Sequence, residues 1–252
     1  MIELSLSLLL MLFAVAIVAS YIDTLAGGGG LITIPALMLA GVPPLMALGT
    51  NKLQSSFGVL TASTLLYKRG LFKFREVRPL IVMAFLGSVL GTIAVQFIDA
   101  KALSIVIPIV LVAITIYFLL PIKLDEIKPA KVSAKTYKNA VIPTVGVYDG
   151  MFGPATGSFF TLAGVSLKGQ DLVGATIHAK TFNLATNLAS LGVFIIAGQV
   201  FWLAGIVMIL GQIIGAFFAS KTLTNIKAIY LKRLIITVCI LMLSKYAYDH
   251  FL

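Results

Sequence analysis

Asp23-Thr24-Leu25-Ala26-Gly27-Gly28-Gly29-Gly30 sets a carboxylate and four glycines between two apolar runs. Each glycine inside a helix costs about 1 kcal/mol relative to alanine, so a helix reaching this point is expected to break. The meaning of the break depends on the solvent around it. In hydrocarbon, unpaired backbone groups are so costly that non-helical chain survives only inside protein or beside a water-filled cavity.

The rest of the chain names lipid as that solvent. Of 252 residues, 60% are hydrophobic and 11% charged, where a soluble domain carries about 25% charged residues. Mean hydropathy is +1.06. Apolar runs at 4–22, 45–67, 79–98, 102–120, 172–197, 201–219 and 231–248 each approach or exceed the roughly 20 residues that cross a bilayer core. Tyr67, Tyr117, Trp202, Tyr230 and Tyr248 stand near run ends, where interfacial aromatics belong. The first run follows Glu3 without a basic leader and is expected to be a membrane helix, not a cleaved signal. The net charge of +10 is gathered in patches at 68–78, 123–138 and 221–233, all between apolar runs. That is the positive-inside pattern; it predicts cytoplasmic loops and no nucleic-acid partner. The lone Cys239 excludes an intrachain disulfide and a dithiol relay. No Gly-x4-Gly-Lys-Ser/Thr loop is present, which argues against an ATP-driven pump, and neither cofactor nor metal is expected. The chain reads as an all-α polytopic protein of the cell membrane.

A second interrupted region echoes the first. Asp23-x3-Gly27 matches Asp149-x3-Gly153 at an offset of 126, and Ala47 to Lys52 aligns with Ala175 to Lys180 at 128, as does Gly70 with Gly198. Gly87-x3-Gly91 pairs with Gly211-x3-Gly215 at 124, implying a small deletion. The preserved order predicts two homologous halves, 1–121 and 139–252, joined by a basic loop at 122–138. Each half carries a broken or re-entrant helix, the pattern that marks a secondary transporter and its substrate site. Two orientations are open. One crossing per broken region gives inverted halves with all basic patches on one side, which the charge rule favours; re-entry on one side gives parallel halves.

Glycines 27–30 precede a short apolar piece at 31–40, whose free N–H groups would form an anion seat. Gly153 and Gly157 offer the same in the second half, with Pro154 in a first turn and Thr156 and Ser158 adding hydroxyls. Close packing through small residues is the other reading. Lys180 lies within an apolar run, where a cation marks a functional candidate. Thr176, Lys180, Asn183, Asn187 and Ser190 recur at helical spacing on one face; Lys52, Ser55, Ser56 and Ser63 form a thinner first-half stripe. Lys52 and Lys180 either contact a substrate or pair with Asp149 and Asp23. Those two aspartates can couple a proton or cap the breaks. His178 can titrate near neutrality but more often packs through hydrogen bonds.

Asp23-x3-Gly-Gly-Gly-Gly, Pro35, Gly49-Thr50-Asn51-Lys52 and Asp149-Gly-x-x-Gly153-Pro154-x-x-Gly157, followed by Lys180 and Asn183, resemble the sulfite exporter TauE/SafE family. The resemblance covers nearly the whole chain. It implies a duplicated polytopic permease for small anions such as sulfite, sulfonates and related organosulfur compounds. Ala155 stands where that family often has glycine. The expected substrate contacts are Gly27, Gly28, Gly29, Gly30, Asn51, Lys52, Gly153, Thr156, Gly157, Lys180, Asn183 and Asn187, with Asp23 and Asp149 for protons. An uncoupled anion channel is an alternative. So is an intramembrane aspartyl protease, on Tyr148-Asp149 and Pro35-Ala-Leu37, although the Gly-x-Gly-Asp element such enzymes need is absent and the two motifs are in reversed order.

Overall fold

The computed structural model describes residues 4–119 and 129–222, which are all-helical. In chain order the elements are α1 (Leu6–Ala26), α2 (Gly30–Leu39), α3 (Pro44–Lys68), α4 (Phe74–Val95), α5 (Ala100–Leu119) and α6 (Ala134–Thr136). A π-helical turn (Tyr137–Val141) leads into α7 (Ile142–Met151), followed by α8 (Thr156–Lys168), α9 (Leu172–Ile196) and α10 (Trp202–Thr222). The expected span at 231–248, with Cys239, and most of the third basic patch lie outside the described residues. Helices α1, α4, α9 and α10 are long and apolar enough to cross a membrane. Helix α3 has 25 residues, about 37 Å at 1.5 Å per residue, but one face carries Asn51, Lys52 and Gln54.

Both breaks fall at a left-handed glycine. Helix α1 stops at Gly27, φ 78°, and α7 gives way at Gly153, φ 89°. The breaks are shorter than expected. The first apolar run continues as helix to Ala26, so Asp23 belongs to the last turn of α1, and Gly30 already begins α2. Asp149 likewise sits in the last turns of α7. In the second break Ala155 takes φ 59°, the one positive-φ residue other than glycine among those described. This conformation costs an L-residue about 1–2 kcal/mol. Helix α8 starts after it, so Pro154 precedes the cap instead of filling the first turn.

Contacts fix the helix directions. Gly211 meets Phe13 and Gly215 meets Ile17, while Tyr21 reaches Thr222, so α1 and α10 run together. Gly205 meets Leu53, Gly58 meets Gln212, and Arg69 donates to the Ser220 carbonyl at 2.7 Å; α3 therefore runs with α10. Gly87 meets Pro143 and Gly91 meets Val147, so α4 runs with α7. Ser88 bonds the Thr186 carbonyl and Ser190, and Thr92 bonds Ser190, so α9 runs with them. The start of α3 lies at the end of α9: Gly49 touches Gln199, and Phe201 N–H donates to Thr50 Oγ1. The two sets are antiparallel. Taken pair by pair, α1 thus opposes α7, α3 opposes α9 and α4 opposes α10, while α2 and α8 each return the chain between two parallel neighbours.

The same contacts correct the register of the glycine pairs. Gly87 lies against the Pro143 carbonyl and Gly215 against the Ile17 carbonyl; Ile17 and Pro143 are 126 apart, so Gly87 answers Gly215 at 128, not Gly211 at 124. No deletion is needed. A Gly-x3-Gly pair repeats once per helical turn, so a one-turn slip lays glycine on glycine and the sequence cannot distinguish the two. The small residues let backbones touch, which is how helices associate without a hydrophobic drive in lipid. Packing also crosses the halves. One buried cluster joins Leu12, Leu31, Leu48 and Leu103 to Met208 of α10, and another joins Val77 and Ala84 of α4 to Ile142, Phe160 and Phe182.

These directions bring the basic segments to one end: residues 68–78, 131–138, Lys168 and Lys221, with Lys131 N–H on the Leu167 carbonyl. At the other end, the loops at 40–43, 96–101 and 197–201 carry only Asp99 and Lys101. The charge rule assigns the basic end to the cytoplasm. In a Cys239→Ser background, cysteines at Lys73, Lys135 and Lys168 will be shielded from an impermeant maleimide in intact cells, and one at Asp99 will react. Labelling of Lys73 and Lys135 positions from opposite faces would contradict this arrangement.

Candidate functional site

The two breaks meet. A Cβ on Gly157 would lie 2.7 Å from Gly27 Cα, and one on Gly27 would run into the backbone of Gly157 and Ser158. Ser158 Oγ donates to the Ala26 carbonyl across the junction. Only glycine permits this approach. The two backbones touch here, and of the charged groups at the junction Lys52, Asp149 and Lys180 are buried while Asp23 keeps partial exposure.

Each aspartate is held by a lysine from the opposite half. Lys52 Nζ lies 2.8 Å from Asp149 Oδ1 and donates to the Asp149 carbonyl at 2.6 Å; both side chains are 1% exposed. Lys180 Nζ lies 3.2 Å from Asp23 Oδ2 and donates to the Asp23 carbonyl, with side-chain exposures of 1% and 16%. Each ammonium therefore also caps the C-terminal end of α1 or α7, where the helix dipole favours a cation. A charge buried without a partner would cost several kcal/mol, which explains why all four groups are paired.

The expected anion seat at the start of α2 is occupied by the protein itself. Gly29 N–H donates to Asp23 Oδ1 at 3.1 Å, and the N–H groups of Leu31 and Ile32 bond the Gly28 and Gly29 carbonyls. The Asp23 carboxylate thus lies between the Lys180 ammonium and a helix N-terminus. In the second half Thr156 Oγ1 replaces the backbone donor, reaching Asp149 Oδ1 at 2.7 Å. Asp149 Oδ2 is buried with no hydrogen-bond partner. Gly153 leaves room beside this pair, since a Cβ there would come 2.9 Å from Lys52 Nζ.

The asparagines aim at the glycines. Asn51 Oδ1 accepts from Thr33, Gln54 and Ser55 at 2.6, 2.8 and 3.3 Å. Its Nδ2 lies 3.7 Å from where a Gly30 Cβ would be. Asn187 Nδ2 donates to the Asn183 carbonyl and Oδ1, which orients Asn183. Asn183 Nδ2 and Lys180 Nζ converge on Gly157, 3.4 and 3.5 Å from a Cβ placed there. The polar stripe of α9 divides: Ser190 bonds α4, Thr176 bonds back to the Leu172 carbonyl, and Gln170 takes His178 Nδ1 at 2.8 Å. Thr33 and Gln54 were missed in the sequence. Thr33 had a signal, since Thr161 stands 128 residues on, and both hydroxyls bond the carbonyls of glycines 29 and 157.

The profile of the sulfite exporter TauE/SafE family matches residues 12–246. This chain belongs to that family. A "Probable membrane transporter protein" of Haemophilus influenzae is 42% identical over 98% of this chain and 97% of its own length. "Probable membrane transporter protein YfcA" of Escherichia coli K12 is 41% identical over 96% and 90%. "Probable membrane transporter protein ORF9" of a Sinorhizobium species is 39% identical over 94% and 92%. No solved structure matches at a significant level. The TauE/SafE member described here is a multi-pass membrane transporter. Family and relatives point to transport in place of enzymatic work, and the geometry agrees: each aspartate is bound to its own lysine, unlike a protease dyad, whose carboxylates share a proton.

Proposed function

We propose that this transporter moves a small anion, sulfite, a sulfonate or a related organosulfur compound, by alternating access between two inverted halves, 1–121 and 139–252, joined by a cytoplasmic loop at 122–138. The observation that carries the proposal is the Asp23 carboxylate, an internal anion seated on Lys180 and the Gly29 N–H. A substrate anion displaces it and takes over the same donors, with Asn183 and the glycine backbone at 27–30 and 157 completing the shell. Asn187 and Thr156 position their neighbours. Lys52, Asn51 and Gly153 form the related station in the other half. Each carboxylate that loses its lysine is left to bind a proton, so Asp23 or Asp149 couples transport to protons; the unpartnered Asp149 Oδ2 offers a second place for one.

Counterflow of labelled sulfite and sulfonates in vesicles tests the proposal. A lost charge-assisted hydrogen bond is worth about 1.5–3 kcal/mol, so Lys180→Ala will lower apparent affinity about 10- to 150-fold. Wild-type affinity and flux in Lys180→Ala would remove the lysine from the binding site.

A further inference from the structure

An open depression of about 480 Å³ lies at the basic end, at the seam between the start of α4 and the π-helical turn before α7. Arg75 and Arg78 enter it from α4 and Lys138 and Asn139 from the turn; Pro79, Val82 and Met83 line the rest. No described carboxylate pairs with these three cations, and the neighbouring Glu76 reaches Lys73 at 3.7 Å. Three like charges converging on one depression repel one another, and an anion seated among them would relieve that repulsion. The fold does not require them: at the corresponding start of α10, 128 residues on, Leu203 and Ile206 stand for Arg75 and Arg78. A π-helical turn is often tied to function, and here it carries Lys138 into the seam.

The walls say what kind of anion. From Arg75 to Val82 is seven residues along α4, about 10 Å at 1.5 Å per residue. Below the cations the surface turns apolar, with Val82, Phe85 and Leu86 exposed at 49%, 42% and 51%. This follows the section of a lipid leaflet, charge at headgroup depth and hydrocarbon beneath it. We infer that Arg75, Arg78 and Lys138 hold the phosphate of an anionic phospholipid, whose acyl chain lies along Val82 and the exposed face of α4. The lipid bridges α4, from the first half of the chain, to the turn that opens α7, from the second. It therefore staples the seam along which Gly87, Gly91, Gly146 and Gly150 bring the two helices into backbone contact.

The test uses the full-length protein in nanodiscs of phosphatidylcholine alone or with phosphatidylglycerol, with bound lipid read by native mass spectrometry. Each Lys or Arg near a membrane surface adds roughly 1 kcal/mol toward an anionic lipid. The variant Arg75→Gln/Arg78→Gln/Lys138→Gln is therefore expected to bind phosphatidylglycerol about a hundredfold more weakly than wild type. A control with equal charge loss at the same end, Lys68→Gln/Lys131→Gln/Lys168→Gln, which leaves the Lys73–Glu76 pair intact, will keep wild-type retention. Equal losses in both variants would reduce the effect to general surface charge and overturn the site. So would equal retention of the two lipids by the wild type, or displacement of phosphatidylglycerol by millimolar inorganic phosphate, which would mark a soluble-anion site.

Discussion

Lys52→Ala will lower the melting temperature of the purified protein by about 6–20 °C, the largest stability effect expected of any single site residue. The pair it breaks is 1% exposed on both sides, and removing one partner of a buried ion pair costs about 3–5 kcal/mol. At about 2–4 °C per kcal/mol for a chain of this size, that is the stated shift. The loss is compounded at the Asp149 carbonyl, which also accepts from Lys52 at the end of α7. Combining Lys52→Met with Asp149→Asn removes both charges and will recover most of the stability, since replacing a whole buried pair is often nearly neutral. Lys180→Ala will melt less than half as far below wild type, because the Asp23 side chain is 16% exposed and water can solvate part of the freed carboxylate. Thermal denaturation followed by size-exclusion recovery measures all four proteins. Equal shifts for Lys52→Ala and Lys180→Ala would mean that the difference in exposure does not separate the two pairs in stability.

The contrast between those pairs marks what could be read from the sequence. A carboxylate followed by glycine at a fixed spacing, repeated 126 residues later, is costly enough in lipid to be noticed, so Asp23, Gly27, Asp149 and Gly153 were all legible. The choice of partners was open: Lys180 on a polar face serves an anion or an aspartate equally well until α9 is placed beside α1. The filling of the α2 N-terminus by Asp23 was illegible for a related reason. The direction of the Gly29 N–H depends on the left-handed turn at Gly27, and the sequence says only that such a turn is permitted. Gln54 escaped notice because its bond to Asn51 spans one helical turn and leaves no periodic trace. The register of the Gly-x3-Gly pairs failed through their own self-similarity, and only carbonyl contacts with Ile17 and Pro143 decided it.

The junction itself yields the sharpest functional contrast, between two glycines of nearly the same positive φ. Gly27 has φ 78° and Gly41 has φ 84°; around Gly41 a Cβ would meet nothing within 4 Å, while at Gly27 it would strike the backbone of Gly157 and Ser158. Alanine at either position carries the left-handed cost of about 1–2 kcal/mol. Gly41→Ala will therefore lose about that much stability and keep counterflow within about twofold of wild type. At Gly27 the chain must also separate the two breaks, which breaks the Ser158 bond to the Ala26 carbonyl and moves the α1 terminus that presents Asp23 to Lys180. Even 3 kcal/mol of lost binding at this site is more than a hundredfold, so Gly27→Ala will show counterflow reduced by at least about that factor while still reaching the membrane. Gly157→Ala will behave alike, because its Cβ would sit 2.7 Å from Gly27 Cα and against Asn183 Nδ2 and Lys180 Nζ. If Gly27→Ala and Gly41→Ala transport equally well, backbone contact between the breaks has no part in transport, and the substrate path must run elsewhere in the helix bundle.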